Sequence, residues 1–361
     1  MGLNVFGDCY RGRRVLLTGH TGFKGSWLAL WLATMGAEVT GVALAPDTVP
    51  NHWDLLALDI ADHRLDIRDS ERMQSVMAAT RPEIVFHLAA QALVRRSYRD
   101  PLDTWSTNVM GTASVLEACR QTDSVRAAVV VTSDKCYENN EWEWGYRERD
   151  RLGGHDPYSA SKAATELVAA SYRSAYFHHA TAPQLATARA GNVIGGGDWS
   201  QDRLVPDMVR AVAAGQPLEI RSPDATRPWQ HVLESLSGYL ALGQGLLAAR
   251  PGLADSWNFG PDLDGNRSVA EVLVEMSAHW PGLDWRVVDA PRPHEATLLY
   301  LDSAKARAHL GWRPVWTVAE ALAATAAWYR AHLADGRIES RQQLQAFVAA
   351  ARAAGLPWAT A

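Results

Sequence analysis

The sequence predicts an α/β fold, a doubly wound parallel sheet with a smaller mixed unit toward its C-terminal end. Three observations lead to it. Short β-branched runs alternate with helical patterns through the first half, a glycine-rich turn joins the first run to a helix, and the alternation breaks after Gly191. Alternation of this kind calls for parallel strands with helices on both faces.

Taken in order, Arg14-Val15-Leu16-Leu17-Thr18 reads as a buried strand and a helix from about 22 to 35 follows it. Further strands are expected at 38–44, 84–87, 127–132 and 185–189, with helices near 70–80, 104–120 and 157–176. From 191 to about 314 the chain is rich in Gly, Pro, Arg and Trp and shows no sustained period. A helix at 318–333 and an amphipathic stretch at 340–353 close it. The expected division is a Rossmann-like dinucleotide-binding unit over 1–190 and a smaller substrate-binding unit over 191–361. No repeat or low-complexity linker separates the two, so the later part is expected to pack onto the sheet as a substrate lid.

Composition narrows the partner. With 361 residues, 21% of them charged, and a formal net charge of −5, nothing favours non-specific nucleic-acid binding, and recognition must come from local sites. Cys9, Cys119 and Cys136 are too few and too scattered for a disulfide framework or a metal cluster. Residues 1–14 hold no apolar run of signal-peptide length, and Phe6 stands where a myristoylation signal needs Ser or Thr. The apolar run at 28–33 is far too short to span a bilayer. A soluble cytoplasmic enzyme with no membrane partner is expected. The 15 tryptophans read as packing residues.

After the first strand comes Gly19-His20-Thr21-Gly22-Phe23-Lys24-Gly25, opening directly into a helix. Glycines let the backbone turn tightly and approach a pyrophosphate, whose charge the helix N-terminus stabilises. Gly19, Thr21, Gly22, Phe23 and Gly25 are the candidate cofactor contacts. The acid expected at the end of the second strand is missing, since Leu44 is followed by Ala45-Pro46; Asp47 either reaches the ribose hydroxyls or is a turn residue. No Arg follows that strand to receive a 2′-phosphate, so NAD is favoured over NADP. Asp66 and Ile67 are placed at the adenine. Leu88, Ala89 and Ala90 end the 84–87 strand with small residues, as backbone passing close to a cofactor requires.

Tyr158-Ser159-Ala160-Ser161-Lys162 is the second signal. Positions i and i+4 share a helix face, so the ammonium can sit beside the phenol and draw its pKa down from about 10 toward that of a working base. Thr132-Ser133-Asp134-Lys135 ends the strand expected at 127–132, where ligands bind in a doubly wound fold, and Thr132, with Asn108, Tyr158 and Lys162, is a further candidate cofactor contact. Ser133 is then a candidate partner for a substrate hydroxyl, with Asp134 and Lys135 facing the same pocket. Asn108 is placed to tie Lys162 through water or backbone.

Taken together, the Gly-x-x-Gly-x-x-Gly turn, Tyr158-x-x-x-Lys162 and Thr107-Asn108-Val109-x-Gly111-Thr112 resemble extended short-chain dehydrogenase/reductases acting on nucleotide sugars. Longer strings resemble the CDP-glucose branch of the 4,6-dehydratases in that family: 19–27, 132–137, 190–199 and Arg227-Pro228-Trp229-Gln230-His231. The resemblance runs from about Arg11 to Trp328. It implies an internal redox reaction with NAD as a retained cofactor. Tyr158 takes the proton of the sugar 4-hydroxyl, Asp134 protonates the departing 6-hydroxyl, and a base removes the C5 proton. Many relatives carry Asp-Glu where this chain has Asp134-Lys135, so Lys135 is either that base or a cation stabilising the enolate. The resemblance further implies that Arg227 and Arg292, with Arg203 as a third, hold the substrate diphosphate and that Asn192 contacts the sugar phosphate. Arg292-Pro293-His294-Glu295 resembles a family loop near the pocket. The helices at 104–120 and 157–176 resemble the pair that forms the family's dimer, which points to a homodimer or dimer of dimers. A 4-epimerase shares the fold and the Tyr–Lys pair but needs no acid for water loss; a dTDP-glucose or GDP-mannose dehydratase would change the base; a non-catalytic NAD-binding regulator would not need Tyr158 and Lys162.

Overall fold

The computed structural model describes residues 3–179, 181–288 and 298–360. Arg292 and the loop around it therefore lie outside the described residues. Seven strands form one parallel sheet: β1 (Arg14–Thr18), β2 (Glu38–Ala43), β3 (Ala61–Arg64), β4 (Ile84–His87), β5 (Ala127–Val131), β6 (Gln184–Ala190) and a seventh at Ser256–Phe259. Their spatial order is Ser256–Phe259, β6, β5, β4, β1, β2, β3. All the pairings are parallel, so the fold is the expected Rossmann-like, doubly wound one.

Successive strand residues point to opposite faces, and both faces are dry. Leu17, Phe86 and Val129 join α1 (Phe23–Thr34) and the helix Val232–Leu247 in the larger core. Leu16, Val85 and Val130 join Met73, Leu116 and Ala169, from helices on the other side. Every residue of β5 is buried, which is why it reads as an unbroken apolar run. Among the described residues no helix is long and apolar enough to cross a membrane.

Three departures from the sequence pattern have physical causes. β3 is a polar edge strand, Ala-Asp-His-Arg, and carries no hydrophobic period. The helix expected at 104–120 is broken into Pro101–Trp105, a π-type turn Ser106–Met110 and Gly111–Arg120. The helix Val232–Leu247 is buried on nearly every side, so it shows no amphipathic stripe. That helix and the Ser256–Phe259 strand come from beyond residue 190, and they complete the sheet layer.

Of the C-terminal helices, Ser340–Ala353 packs against α1, and Val318–Asp335 packs against the helix Val269–His279 and the short strands Val193–Ile194 and Gln230–His231. Trp31 meets Phe347 edge-on at 5.9 Å. Trp328 is wholly buried, beds on Gly196 where a Cβ would come within 2.0 Å of its ring, and donates to Ser340 Oγ at 2.8 Å. Ser340 Oγ also bonds His52 Nε2 at 2.7 Å, and Tyr329 donates to the Asp198 carbonyl at 2.5 Å. Trp328→Ala removes this wedge and should cost about 3–5 kcal/mol of stability. Denaturant unfolding followed by tryptophan fluorescence measures the loss.

Candidate active site

Strand order reverses between β1 and β4, and a crevice opens there at the carboxyl ends of the strands. A cavity of about 1420 Å³ occupies it, more than a single drug-sized ligand needs and suited to two. Gly19 turns at φ +76°, and a Cβ there would lie 2.7 Å from the Ala89 nitrogen. A Cβ on Gly25 would lie 2.0 Å from the Gly19 carbonyl oxygen. The β1 turn, the β4 exit and the first turn of α1 thus meet backbone to backbone. This is the side-chain-free cradle that a dinucleotide pyrophosphate requires, and the residues fit such a group.

Polar bonds lock the cradle. Thr18 Oγ1 accepts from the Leu88 and Ala89 amides and donates to His87 Nδ1 at 2.7 Å. His87 Nε2 donates to Thr112 Oγ1, which donates to the Asn108 carbonyl at 2.7 Å. Burial pushes His87 down to about 3, so the ring is neutral and these partners set its tautomer. Thr21, Gly22, Phe23, Asp66, Ile67 and Ala90 line the same cavity. Asp66 is clasped by Arg68 at 2.6 Å, and hydrogen bonds from that guanidinium hold its carboxyl below the usual range. Asp47 also faces the cavity and stays largely exposed. Arg64 on β3 reaches the Leu44 carbonyl at 3.0 Å, a neighbour that the local pattern after β2 did not place there; Asp62 pairs with it.

The helix Pro157–Ala175 starts cleanly, with Pro157 in the first turn and Asp156 accepting from the Ser159 amide. It sets Tyr158 and Lys162 one turn apart. The Lys162 ammonium donates to the Val131 carbonyl at 3.4 Å. Asn108, released by the π-type turn, accepts from the Gln91 amide and donates to Ser161 Oγ. It therefore acts beside Lys162 through Ser161. Burial pushes Tyr158 up to about 12, opposed by its hydrogen bond to Ser133. This reverses the lowering expected from the Tyr–Lys spacing. Lys162 is itself pushed down by burial to about 8, opposed chiefly by Glu166.

Ser133 donates to Asp134 Oδ1 at 2.8 Å, and Lys135 Nζ lies 3.3 Å from the same oxygen and 3.5 Å from Asn192 Oδ1. Asp134 is fully buried, and its Oδ2 has no hydrogen-bond partner among the described residues. A buried carboxylate oxygen without a donor is costly; this one lies beside Gly191, where an added Cβ would come within 3.0 Å of it, on a residue that lines the cavity. Arg203 pairs with Asp198 at 2.9 Å, and Arg227 donates to the Thr226 carbonyl. Asn192, Arg203 and Arg227 all line the cavity.

Thr132, expected at the cofactor, lines the cavity but donates its hydroxyl to Glu166 at 2.5 Å. Glu166 is also bound by Thr187 and doubly by Arg189. Sequence reading missed Glu166 and Lys24. Glu166 had a signal, since it sits one more i+4 step along the face that carries Tyr158 and Lys162. Lys24 had one too, as a cation in a first helical turn, where the dipole disfavours it. Among the described residues no cluster could hold a metal ion.

Known proteins share this fold. The family described as GDP-mannose 4,6 dehydratase matches residues 16–246. The CDP-glucose 4,6-dehydratase of Salmonella typhimurium is 46% identical over 350 residues, covering 94% of this chain and 98% of that protein. A dTDP-glucose 4,6-dehydratase of Streptomyces antibioticus is 32% identical, covering 74% and 75%. Among solved structures, the dTDP-glucose 4,6-dehydratase of Streptomyces venezuelae with NAD bound is 26% identical, with TM-score 0.76 and 88% and 97% of the two chains covered. The UDP-glucose 4-epimerase of Thermus thermophilus with NAD is also 26% identical, with TM-score 0.75 and 88% and 99% covered.

Gly25→Ala should abolish dinucleotide binding while leaving the sheet folded, because the added methyl can only be housed by opening the β1 turn. Cofactor titration alongside far-UV circular dichroism checks both halves of that expectation.

Proposed function

This chain belongs to the GDP-mannose 4,6 dehydratase family, and from that premise we propose that it converts CDP-glucose to CDP-4-keto-6-deoxyglucose and water, acting as a hydro-lyase. The observation that carries the reading is the 46% identity to the Salmonella CDP-glucose enzyme over nearly the whole chain, joined to an acid, a lysine and a Tyr–Lys pair in one cavity. NAD, held in the glycine cradle, supplies the hydride acceptor at C4 and the hydride donor at C6.

The chain's own residues handle the protons. Tyr158, hydrogen-bonded to Ser133, takes the proton of the 4-hydroxyl; a phenol pushed up to about 12 needs help to ionise, and Arg203 is the nearby cation that favours the phenolate. Once C4 is a ketone, the C5 proton is acidic. Asp134 and Lys135 then have to act as an acid and a base together. They lie as an ion pair 3.3 Å apart. A single proton moving from Lys135 to Asp134 turns that pair into a neutral amine and a carboxylic acid. Lys135 then removes the C5 proton as Asp134 protonates the departing 6-hydroxyl, and the two are left as the ion pair that began the cycle. A 4-epimerase has no use for the buried, unpartnered Oδ2 of Asp134.

The same reading gives the segment beyond 190 the nucleotide, with Arg227 and Arg292 on the diphosphate and Arg203 and Asn192 beside them. It gives a homodimer or dimer of dimers built on the helices at 101–120 and 157–175, which expose Leu102, Met110 and Leu167.

Incubation with CDP-glucose and no added reductant should yield the 4-keto-6-deoxy product; CDP-galactose without loss of water would move the chain to the epimerases. Asp134→Asn should retain C4 oxidation and lose elimination, so NADH absorbance builds up on mixing with substrate, whereas Tyr158→Phe should give no such signal. Lys135→Arg keeps the cation but cannot serve as a base near neutral pH. It should lose nearly all water elimination and retain oxidation, and substantial dehydration with solvent deuterium entering C5 would refute Lys135 as the base.

A further inference from the structure

The turn that carries Ser133, Asp134 and Lys135 leaves the sheet at the end of β5, and its helical part is a single 3-10 turn, Asp134–Cys136. Backbone pairing holds the chain as far as the Thr132 amide, which donates to the Ala188 carbonyl on β6 at 2.9 Å. Past that point a side chain secures the turn at each end, and both side chains reach the same buried ion pair. At the start, Thr132 donates its hydroxyl to Glu166 Oε1 at 2.5 Å. At the finish, the Tyr137 hydroxyl accepts from Arg189 Nη1 at 2.6 Å, and the guanidinium lies 4.9 Å from the centre of the tyrosine ring.

The pair is itself fixed. Arg189, on β6, bonds the carboxylate twice, at 2.9 and 2.7 Å, and Thr187 on the same strand adds a bond at 2.7 Å. Glu166 stands on the helix Pro157–Ala175, one i+4 step beyond Lys162. Both side chains are almost wholly buried, so water does not compete for these bonds. The pair therefore joins the helix of Tyr158 and Lys162, the strand β6 and both ends of the turn.

Two half-reactions have to meet on one sugar. Tyr158 works at the 4-hydroxyl from the helix, while Asp134 and Lys135 work at C6 and C5 from the turn. The helix and the turn must then stand in fixed register, and a displacement of about 1 Å can cost on the order of a hundredfold in rate. We propose that Glu166 and Arg189 are positioning residues: gripping the turn at Thr132 and Tyr137, they set Asp134 and Lys135 against the Tyr158–Lys162 helix, so that loss of water keeps pace with oxidation at C4. Loosening either end leaves Tyr158, Lys162 and the glycine cradle in place and lets elimination fall behind, so reduced cofactor and 4-keto sugar accumulate together. This rests on the dehydratase reading and deepens it.

The test mixes the full chain, loaded with NAD, rapidly with CDP-glucose. NADH absorbance reports oxidation, and the 4-keto-6-deoxy product reports elimination. Thr132→Val removes the hydroxyl at one end of the turn and keeps the side chain's shape; Tyr137→Phe does the same at the other. Each should slow elimination about tenfold relative to oxidation, with NADH building up beyond the wild-type level. Thr132→Ser keeps the hydroxyl and should keep the wild-type ratio. Thr187→Val removes a bond from the same carboxylate without touching the turn, and should lower stability while leaving the ratio unchanged. The two ends are tested separately, so if one variant does not fold the other decides. An unchanged ratio in a folded end variant, or the same NADH build-up in Thr187→Val, overturns the proposal, because a purely structural pair would slow both half-reactions together. A wild type that forms no dehydrated product overturns the dehydratase reading and the proposal with it. A wild type that forms it, with end variants that keep its ratio, overturns the proposal alone.

Discussion

Everything in this protein is arranged around one close approach of backbone to backbone. The turn after β1, the exit of β4 and the first turn of α1 touch at Gly19, Ala89 and Gly25, with no side chain between them. That contact places a helix N-terminus and bare peptide groups at the point where the sheet changes direction. It also explains the supporting parts. Thr18, His87, Thr112 and Asn108 form an uncharged chain of hydrogen bonds that holds the β4 exit against β1. The same Asn108 ties the helix carrying Lys162 through Ser161, so the cofactor cradle and the catalytic pair share one scaffold.

The charges form a second layer of design. Arg189 and Glu166 make a buried, doubly bonded pair, and Thr132 and Thr187 satisfy the remaining lone pairs. A buried pair costs desolvation and returns it only when every bond is made, and here they are made. Glu166 also opposes the loss of the Lys162 proton. The Asp134–Lys135 pair, by contrast, is left with one carboxylate oxygen unbonded. One pair has its bonds completed; the other leaves a buried oxygen without a donor.

Much of this was legible in the sequence. The strands β1, β4 and β5 read as largely apolar runs and, like β6, are buried on both faces, and the glycine turn and Tyr158–Lys162 follow from local spacing. What was illegible depends on neighbours far along the chain. β3 earns its place by pairing with β2, not by its own residues. The Val232–Leu247 helix is buried all round, so no stripe marks it. The direction of the Tyr158 shift reflects how completely the folded chain desolvates it, which i+4 spacing cannot report. Thr132 turns to Glu166 because Arg189 and Thr187 on β6 bring that carboxylate within reach.

The bed formed by Gly196 and Asp198 has a consequence for the order in which the protein is made. That loop carries the carboxylate that orients Arg203, yet it is seated by Trp328 and Tyr329, and through Ser340 by the helix beyond. During synthesis the sheet strands and the Tyr–Lys helix leave the ribosome well before those aromatic rings exist. Until then the loop at 196–198 lacks its seat, and α1, whose first turn forms the cradle, lacks the ring that meets Trp31. The arrival of the last helices therefore backs two walls of the cavity at once, the turn of the cradle helix and the loop that orients Arg203.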